Sequence, residues 1–319
     1  MAKIKILLVG IASAFLVWMF HAVGWKEIVH HLRLVGWNWP LILLPYLLVN
    51  LLDALSWFFC FDRLPMGVTV RYLFFNRLAG EAVNVLTPMA SLGGEPVKAL
   101  MLQKEGVSLT NATASLVISK GILVLSMVLY ILIGLALAPF LFNLSSGWLL
   151  VLLAAALILG IGAIGFVLIQ KYGLCQLGMK VLEKCKFMPR FLKDKEASLC
   201  RLDAQMSTFY RHHLWKFWLA LGLSFLGWVI HGFEVYIIFH FLGQPINLLT
   251  ALCLDALATL IGGLAFFIPG NLGVQDGGNV LLTIGLQLGA LMGATFSIIR
   301  RLREGFWLAV GLVVLAYER

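Results

Sequence analysis

Pro88-Met89-Ala90-Ser91-Leu92-Gly93-Gly94-Glu95 interrupts one apolar stretch of the chain, and Pro269-Gly270-Asn271-Leu272-Gly273-Val274-Gln275-Asp276 interrupts another in the opposite half. In each, an acid follows the proline by seven residues and a base follows it by 32: Glu95 and Lys120 after Pro88, Asp276 and Arg301 after Pro269. Proline removes a backbone donor and glycine loosens the backbone, so both segments predict broken helices. Matched interruptions in two halves point to an internally repeated transporter whose broken helices meet at a substrate site near the bilayer midplane. Coincidence is the alternative, and topology has to decide between them.

Composition defines the class around those breaks. Hydrophobic residues make up 61% of the 319 and charged residues 12%, and several apolar runs reach about 20 residues, the length that spans a hydrocarbon core. The expectation is an all-α polytopic membrane protein, a single transmembrane domain over 1–319 with no globular domain beside it. Met1 to Val23, with Lys3 and Lys5 ahead of an apolar run, reads as a retained first span, because no small-residue cleavage site precedes Trp25. The five cysteines are odd in number and none are closely spaced, which predicts free thiols and no zinc site. No metal, cofactor or nucleic-acid partner is expected.

The net charge of +9 is unevenly spread. Lys171 to His213 holds nine Lys and Arg against four Asp and Glu, which places it in the cytoplasm; the uncharged connections Pro139–Gly147 and Gly243–Asn247 then lie outside. Span 107–138 runs outward, 148–170 inward and 214–242 outward. Lys3 and Lys5 favour a cytoplasmic N-terminus, and span 39–61 returns to the cytoplasm. If 72–104 crossed completely, Lys98 and Lys104 would be outside and every later assignment would invert. A re-entrant hairpin turning near Pro88–Gly94 removes the conflict, and irregular backbone is tolerated at such depth where protein or a wet cavity surrounds it. By the same reasoning 248–293 is a second hairpin turning at Pro269–Gly278, and the last helix runs inward to a cytoplasmic C-terminus.

The result is about six full spans plus two hairpins, with a first repeat over about 39–138 and a second over about 214–317. An odd number of crossings separates them, so the repeat is inverted. The expected site residues at the hairpin tips are Pro88, Gly93, Gly94, Pro269, Gly270 and Gly273. The arrangement fails if Arg300, Arg301 and Arg303 sit at the cytoplasmic face, for then 248–293 crosses fully.

A charge at the bilayer centre costs ~2.5–3.5 kcal/mol on insertion scales, so such residues pair, face a cavity or do work. The candidates are Asp53, Glu81, Glu95, Lys98, Lys120, Glu234, Asp255, Asp276, Arg300, Arg301 and Arg303. Glu95 and Asp276 lie beside helix-breaking glycines, where free backbone groups can also coordinate a ligand. Two readings stand: a substrate-binding or coupling site, or structural ion pairs of Glu95 with Lys120 and Asp276 with Arg301. Lys98, Lys120, Arg300, Arg301 and Arg303 offer positive charge for an anionic head group, and arginine's planar fork suits phosphate. For the arginine cluster a positive-inside anchor is the alternative. His231 and Glu234, three apart on one helix, read as a buried polar pair more readily than as metal ligands. Segment 171–213 mixes Leu174, Leu177, Val181 and Leu182 with Lys180, Lys184 and Lys186, a pattern suited to a helix lying on an anionic leaflet.

Gly80-Glu81-Ala82, Asn84, Pro88 and Gly93-Gly94-Glu95-Pro96-Val97-Lys98-Ala99, followed by Gly106 and Ser115 to Lys120, resemble the lysylphosphatidylglycerol synthase transmembrane-region family, often called flippase-like proteins. Pro269 to Gly278 with Arg300-Arg301-Leu302-Arg303-Glu304 is similar to the C-terminal motif of that family, with Asp276 in place of the expected glutamate. The resemblance covers about residues 6–317.

The resemblance implies a lipid-handling protein related to the translocating half of enzymes that aminoacylate phosphatidylglycerol; some relatives are associated with hopanoid lipids. Aminoacyl transfer needs a separate soluble domain, and the 43 residues of 171–213 are too few when domains usually need at least ~50. The leading expectation is a translocase moving an anionic or isoprenoid/hopanoid-type lipid across the cytoplasmic (inner) membrane, possessing no enzymatic activity and working alone or with a separate lipid-synthesising enzyme. The alternatives are an accessory subunit or intramembrane lipid-modifying enzyme, for which no catalytic motif stands in the sequence, and an ion-coupled carrier of a small solute. Lipid-accessible side openings argue against the last.

Overall fold

A computed structural model describes residues 35–61, 67–87, 93–142, 146–172, 196–264 and 273–317, with positions 26, 29, 30 and 33 ahead of them. The expected first span, the tip residues Pro88, Pro269 and Gly270, and the centre of the basic segment (173–195) lie outside the described residues. Among the described residues, a 3-10 turn at Gly36–Asn38 is followed by ten helices: α1 (Trp39–Phe59), α2 (Val70–Leu86), α3 (Glu95–Lys104), α4 (Leu109–Leu141), α5 (Ser146–Tyr172), α6 (Glu196–His212), α7 (Leu214–Phe241), α8 (Leu248–Leu264), α9 (Val274–Gly285) and α10 (Ala290–Tyr317).

The protein is an all-α polytopic membrane protein. Among the described residues, four helical stretches, Gly36–Phe59, Leu109–Leu141, Leu149–Phe166 and Leu214–Phe241, are long and apolar enough to cross a bilayer. Large apolar side chains point outward along them, among them Leu44, Leu51, Leu153, Ile161 and Leu226, as expected where lipid replaces water as solvent. The expected spans 39–61, 107–138, 148–170 and 214–242 each correspond to one helix. Segments 72–104 and 248–293 are each broken into a pair, α2 with α3 and α8 with α9, and α10 begins at Ala290.

Local chemistry explains where the helices start. Thr69 Oγ1 accepts from the Tyr72 N–H at 3.2 Å and Ser108 Oγ from the Asn111 N–H at 3.3 Å, capping α2 and α4. In α3, Pro96 occupies the first turn, where its missing N–H costs nothing. Gly273 precedes α9 at φ +81°, a left-handed conformation that glycine adopts without strain.

α1 and α7 pack antiparallel along the middle of the molecule. Ile42 joins the cluster of Val235 and Ile238, Ser56 Oγ donates to Ala220 O at 2.9 Å, and Lys216 Nζ donates to Phe61 O at 2.9 Å. α2 and α3 form an antiparallel pair. Asn84 Oδ1 accepts from the Gly94 N–H at 2.7 Å near the tip, and Asn76 Nδ2 donates to Lys98 O at 3.2 Å farther down. A Cβ at Gly94 would strike the Gly80 carbonyl, so only glycine allows this approach. The pair returns to its starting level: a Cβ on Gly67, before α2, would lie 3.7 Å from Glu105 Oε2, after α3. α3 has 10 residues, about 15 Å at 1.5 Å per residue, half the hydrocarbon thickness.

The two halves cross-pack. α2 rests on α10, where Gly311 lies against the Leu78 carbonyl and Leu308 and Leu312 cluster with Ala82 and Leu86. α8 rests on α4, where Gly134 lies against Ala256 and Cys253 Sγ reaches Gly134 O at 3.3 Å. Each broken helix pair therefore leans on the last long helix of the opposite half. α5 is peripheral: its apolar window Leu149–Phe166 buries none of its residues, so it faces lipid along its length.

Candidate functional site

Thirteen charged side chains of the described residues converge in two clusters, and in both the ions are paired. In the first, Asp53 of α1 meets Arg77 of α2 at 2.6 Å. Arg77 stands 4.0 Å from Glu81 one turn later, and Lys98 of α3 bridges Glu81 at 2.9 Å and Glu95 at 3.1 Å. Lys120 of α4 closes the chain 3.8 Å from Glu95. Four helices are thus tied by alternating charge, and Asn84, which accepts from the Gly94 N–H, joins the set by donating to Glu81 at 3.2 Å.

The second cluster is built on α10. Arg301 Nε and Nη2 donate to the two oxygens of Asp276 at 3.1 and 3.0 Å, a forked contact. Its Nη1 donates to Glu304 at 2.9 Å. Asp276 also accepts from the Gly273 N–H at 2.9 Å, so the carboxylate that binds the arginine caps α9. Arg303 pairs with Glu234 of α7 and stands 3.6 Å from Glu304, with its guanidinium 4.4 Å from the centre of the Tyr46 ring. Arg300 meets Asp255 of α8 at 3.0 Å.

Arg300, Arg301 and Arg303 are therefore buried near the middle of α10, each paired with an acid. Lys98 is enclosed between Glu81 and Glu95 and pairs with both. Both expected acid–base pairs exist, Glu95 with Lys120 and Asp276 with Arg301. Exposure separates the members: the Asp276 side chain is 32% exposed and Lys120 25%, whereas Arg303 is 2%. His231 and Glu234 do not pair with one another; His231 bonds Asp255 at 3.0 Å and Glu234 bonds Arg303. Gly93 and Gly94 sit against Thr87, Gly80 and Asn84 at the head of the first pair.

Sequence reasoning passed over Arg77, Glu304, Tyr46 and Tyr130. Arg77 lies mid-helix in the first limb of the broken pair and Tyr46 follows Pro45 inside α1, neither beside a glycine break, and Glu304 stands in a motif without an assigned role. An intramembrane arginine is itself a signal that asks for a partner.

Two cavities bear on ligand access. Between the clusters, Tyr46, Asn50, Glu81, Glu304 and Trp307 line a space of about 40 Å³, enough for water and too small for a lipid head group. Outside the first cluster, a groove of about 610 Å³ runs between α3, α4 and Phe166 of α5. Its walls include Ala99, Leu100, Leu109, Leu116 and Val117, and Glu95 and Lys120 stand in it as the charged residues. An apolar trough thus ends at an ion pair belonging to the buried network.

The profile of the family described as "Lysylphosphatidylglycerol synthase TM region" matches residues 4–311. A relative described as "UPF0104 membrane protein" from Methanothermobacter thermautotrophicus is 28% identical over 289 residues, covering 86% of this chain and 83% of the relative. No solved structure matches the chain. With both Pro/Gly-interrupted segments inside the matched range, the chain belongs to the lysylphosphatidylglycerol synthase transmembrane-region family.

Proposed function

We propose that the protein is a lipid translocase that moves an anionic head group, on an isoprenoid-, hopanoid- or glycerol-based tail, across the cytoplasmic membrane. The observation that carries this reading is the groove beside α3 and α4: apolar along its walls, bordered by a lipid-facing helix, and ending at Glu95 and Lys120. A carrier of a soluble solute has no use for such a side opening. Because bilayer tails are already in an apolar medium, the groove gains little hydrophobic energy from a tail. Its part is to lead the lipid so that the head reaches the charges.

Within this reading the two α-helical pairs are re-entrant hairpins of an inverted repeat, supported by the antiparallel α1 and α7 and the cross-packing of each pair on the opposite half. The cytoplasmic ends are those of α1, α3 and α10. The head group exchanges partners with the Glu95–Lys120 and Asp276–Arg301 pairs as one half rocks against the other, so no cation is left bare at any stage. The 40 Å³ central space is then the closed state, which has to widen for passage.

The test is groove blocking. In proteoliposomes holding fluorescent phosphatidylglycerol, Val117→Trp should slow leaflet exchange while the protein still folds. Unchanged exchange in a folded, groove-filled variant would remove the groove from the path. A chain that exchanges no lipid at all would favour an accessory subunit or lipid-modifying enzyme.

A further inference from the structure

His231 lies where five helices face each other, outside the ladder that ends in the groove. Its Nδ1 stands 3.1 and 3.0 Å from the two oxygens of Asp255 on α8. Arg300 Nη2 on α10 stands 3.1 Å from Nδ1 and 3.2 Å from Nε2. In the neutral tautomer with the proton on Nδ1, Nδ1–H donates to Asp255, and one Arg300 Nη2–H, its nitrogen almost equidistant from both ring nitrogens, faces the imidazole ring rather than the in-plane Nε2 lone pair. Arg300 Nη2 spends its other hydrogen on Asp255 Oδ1 at 3.0 Å, and the Tyr130 hydroxyl of α4 donates to Oδ2 at 3.1 Å.

The other titratable neighbours are committed elsewhere. Tyr46 of α1 has its ring centre 6.3 Å from the imidazole and carries Arg303 on its face, and Glu234, one turn along α7, is held by Arg303. Glu234 Oε1 and Arg303 Nε are without a hydrogen-bond partner among the described residues, and Arg300 has the most donors left over. Its Nε and Nη1 are buried with no hydrogen-bond partner among the described residues, so a guanidinium with five donors is held through one nitrogen. A buried cation with donors to spare is costly in a low-dielectric interior unless another state of the protein supplies an acceptor.

A proton on Nε2 supplies the route to that state. It puts a positive charge on the ring that the Arg300 guanidinium faces and places two cations against the single carboxylate of Asp255. Arg300 is then driven toward any other anion in reach, and an anion beside Arg300 in turn stabilises the imidazolium. The step is proton binding alone: H⁺ adds to the Nε2 lone pair on one side of the membrane and leaves from it on the other.

We propose that His231 is a proton-binding site that couples translocation to the proton gradient, with protonation releasing Arg300 to the anionic head group so that proton and lipid cross together. The proposal rests on the translocase reading for its cargo, and it assigns the cargo's driving force. Because coupling is reciprocal, a bound anion must strengthen proton binding at His231 by the same factor that the proton strengthens anion binding.

The experiment reads that reciprocity directly. The full chain with ¹⁵N-labelled histidine is placed in phosphatidylcholine nanodiscs, with and without phosphatidylglycerol, and the imidazole nitrogens are titrated by NMR. The His231 signals are assigned by their loss in His231→Gln, or in His231→Asn should the first variant not fold. The expected result is an Nδ1–H tautomer in phosphatidylcholine and a titration midpoint that moves to higher pH with phosphatidylglycerol. A midpoint that is the same in both, or a His231 that is already the imidazolium at neutral pH without the anionic lipid, overturns the proposal. Phosphatidylglycerol exchange measured in parallel separates the two readings: exchange with an unmoved midpoint sinks the proton coupling alone, and a moved midpoint without exchange sinks the translocase reading while the linked proton and anion sites stand.

Discussion

Asp276 and Arg301, 25 residues apart, meet through a two-pronged contact at 3.0 and 3.1 Å. At the same separation in the other half, Glu95 and Lys120 stand 3.8 Å apart. Each acid opens the short limb of a broken helix pair, and each base sits in the long helix that follows. The shared spacing therefore corresponds to a shared contact, which coincidence does not require.

Neutralising these acids should separate transport from folding. Asp276→Asn leaves Arg301 its bond to Glu304, and Asp276 is partly exposed, so the stability loss should be about 1 kcal/mol or less. Lipid exchange should be lost. Thermal unfolding and exchange measured on the same preparations decide the matter; a fall in stability that matches the fall in exchange would make the pair purely structural.

Arg303 and Glu234 should behave in the opposite way. Both are buried, and removing one partner of a buried ion pair typically costs about 3–5 kcal/mol because a bare charge remains. Arg303→Met should therefore lose folded yield, and Arg303→Met combined with Glu234→Met should recover much of it. Denaturation in detergent is the readout, and a stable single variant would refute this assignment.

Topology can be read with single cysteines in a cysteine-free background. Cysteines at Gly67 and Glu105, which flank the first helix pair at one level, should react with an impermeant thiol reagent from the same, cytoplasmic side. One at Asn247, before α8, should react from the other side, and one at Thr87 near the tip should react poorly from both. Labelling of Gly67 and Glu105 from opposite sides would mean that the segment crosses.

The membrane class and the helix ends were legible because apolar length and uncharged loops report directly on the bilayer. The breaks near Gly93 and Gly273 were legible because glycine and proline act locally. Pairing was only half legible. Glu95–Lys120 and Asp276–Arg301 could be named from spacing, but Asp53 reaching Arg77 at 2.6 Å and His231 reaching Asp255 rather than Glu234 depend on which helices become neighbours. That is decided by tertiary packing: Gly311 lets α2 approach α10 and Gly134 lets α8 approach α4, and no local pattern announces either.

The groove was not legible in the sequence. Leu100, Leu109 and Val117 read as ordinary lipid-facing residues, and only the peripheral position of α5, with Phe166 across from Leu116, turns them into a trough.

The most direct test of the central claim is leaflet exchange of fluorescent phosphatidylglycerol in proteoliposomes, comparing the unaltered chain with Glu95→Gln and Asp276→Asn. Rapid exchange by the unaltered chain, lost in both folded variants, is the predicted result. Exchange that persists in both would contradict the claim that these two pairs form the path of the head group.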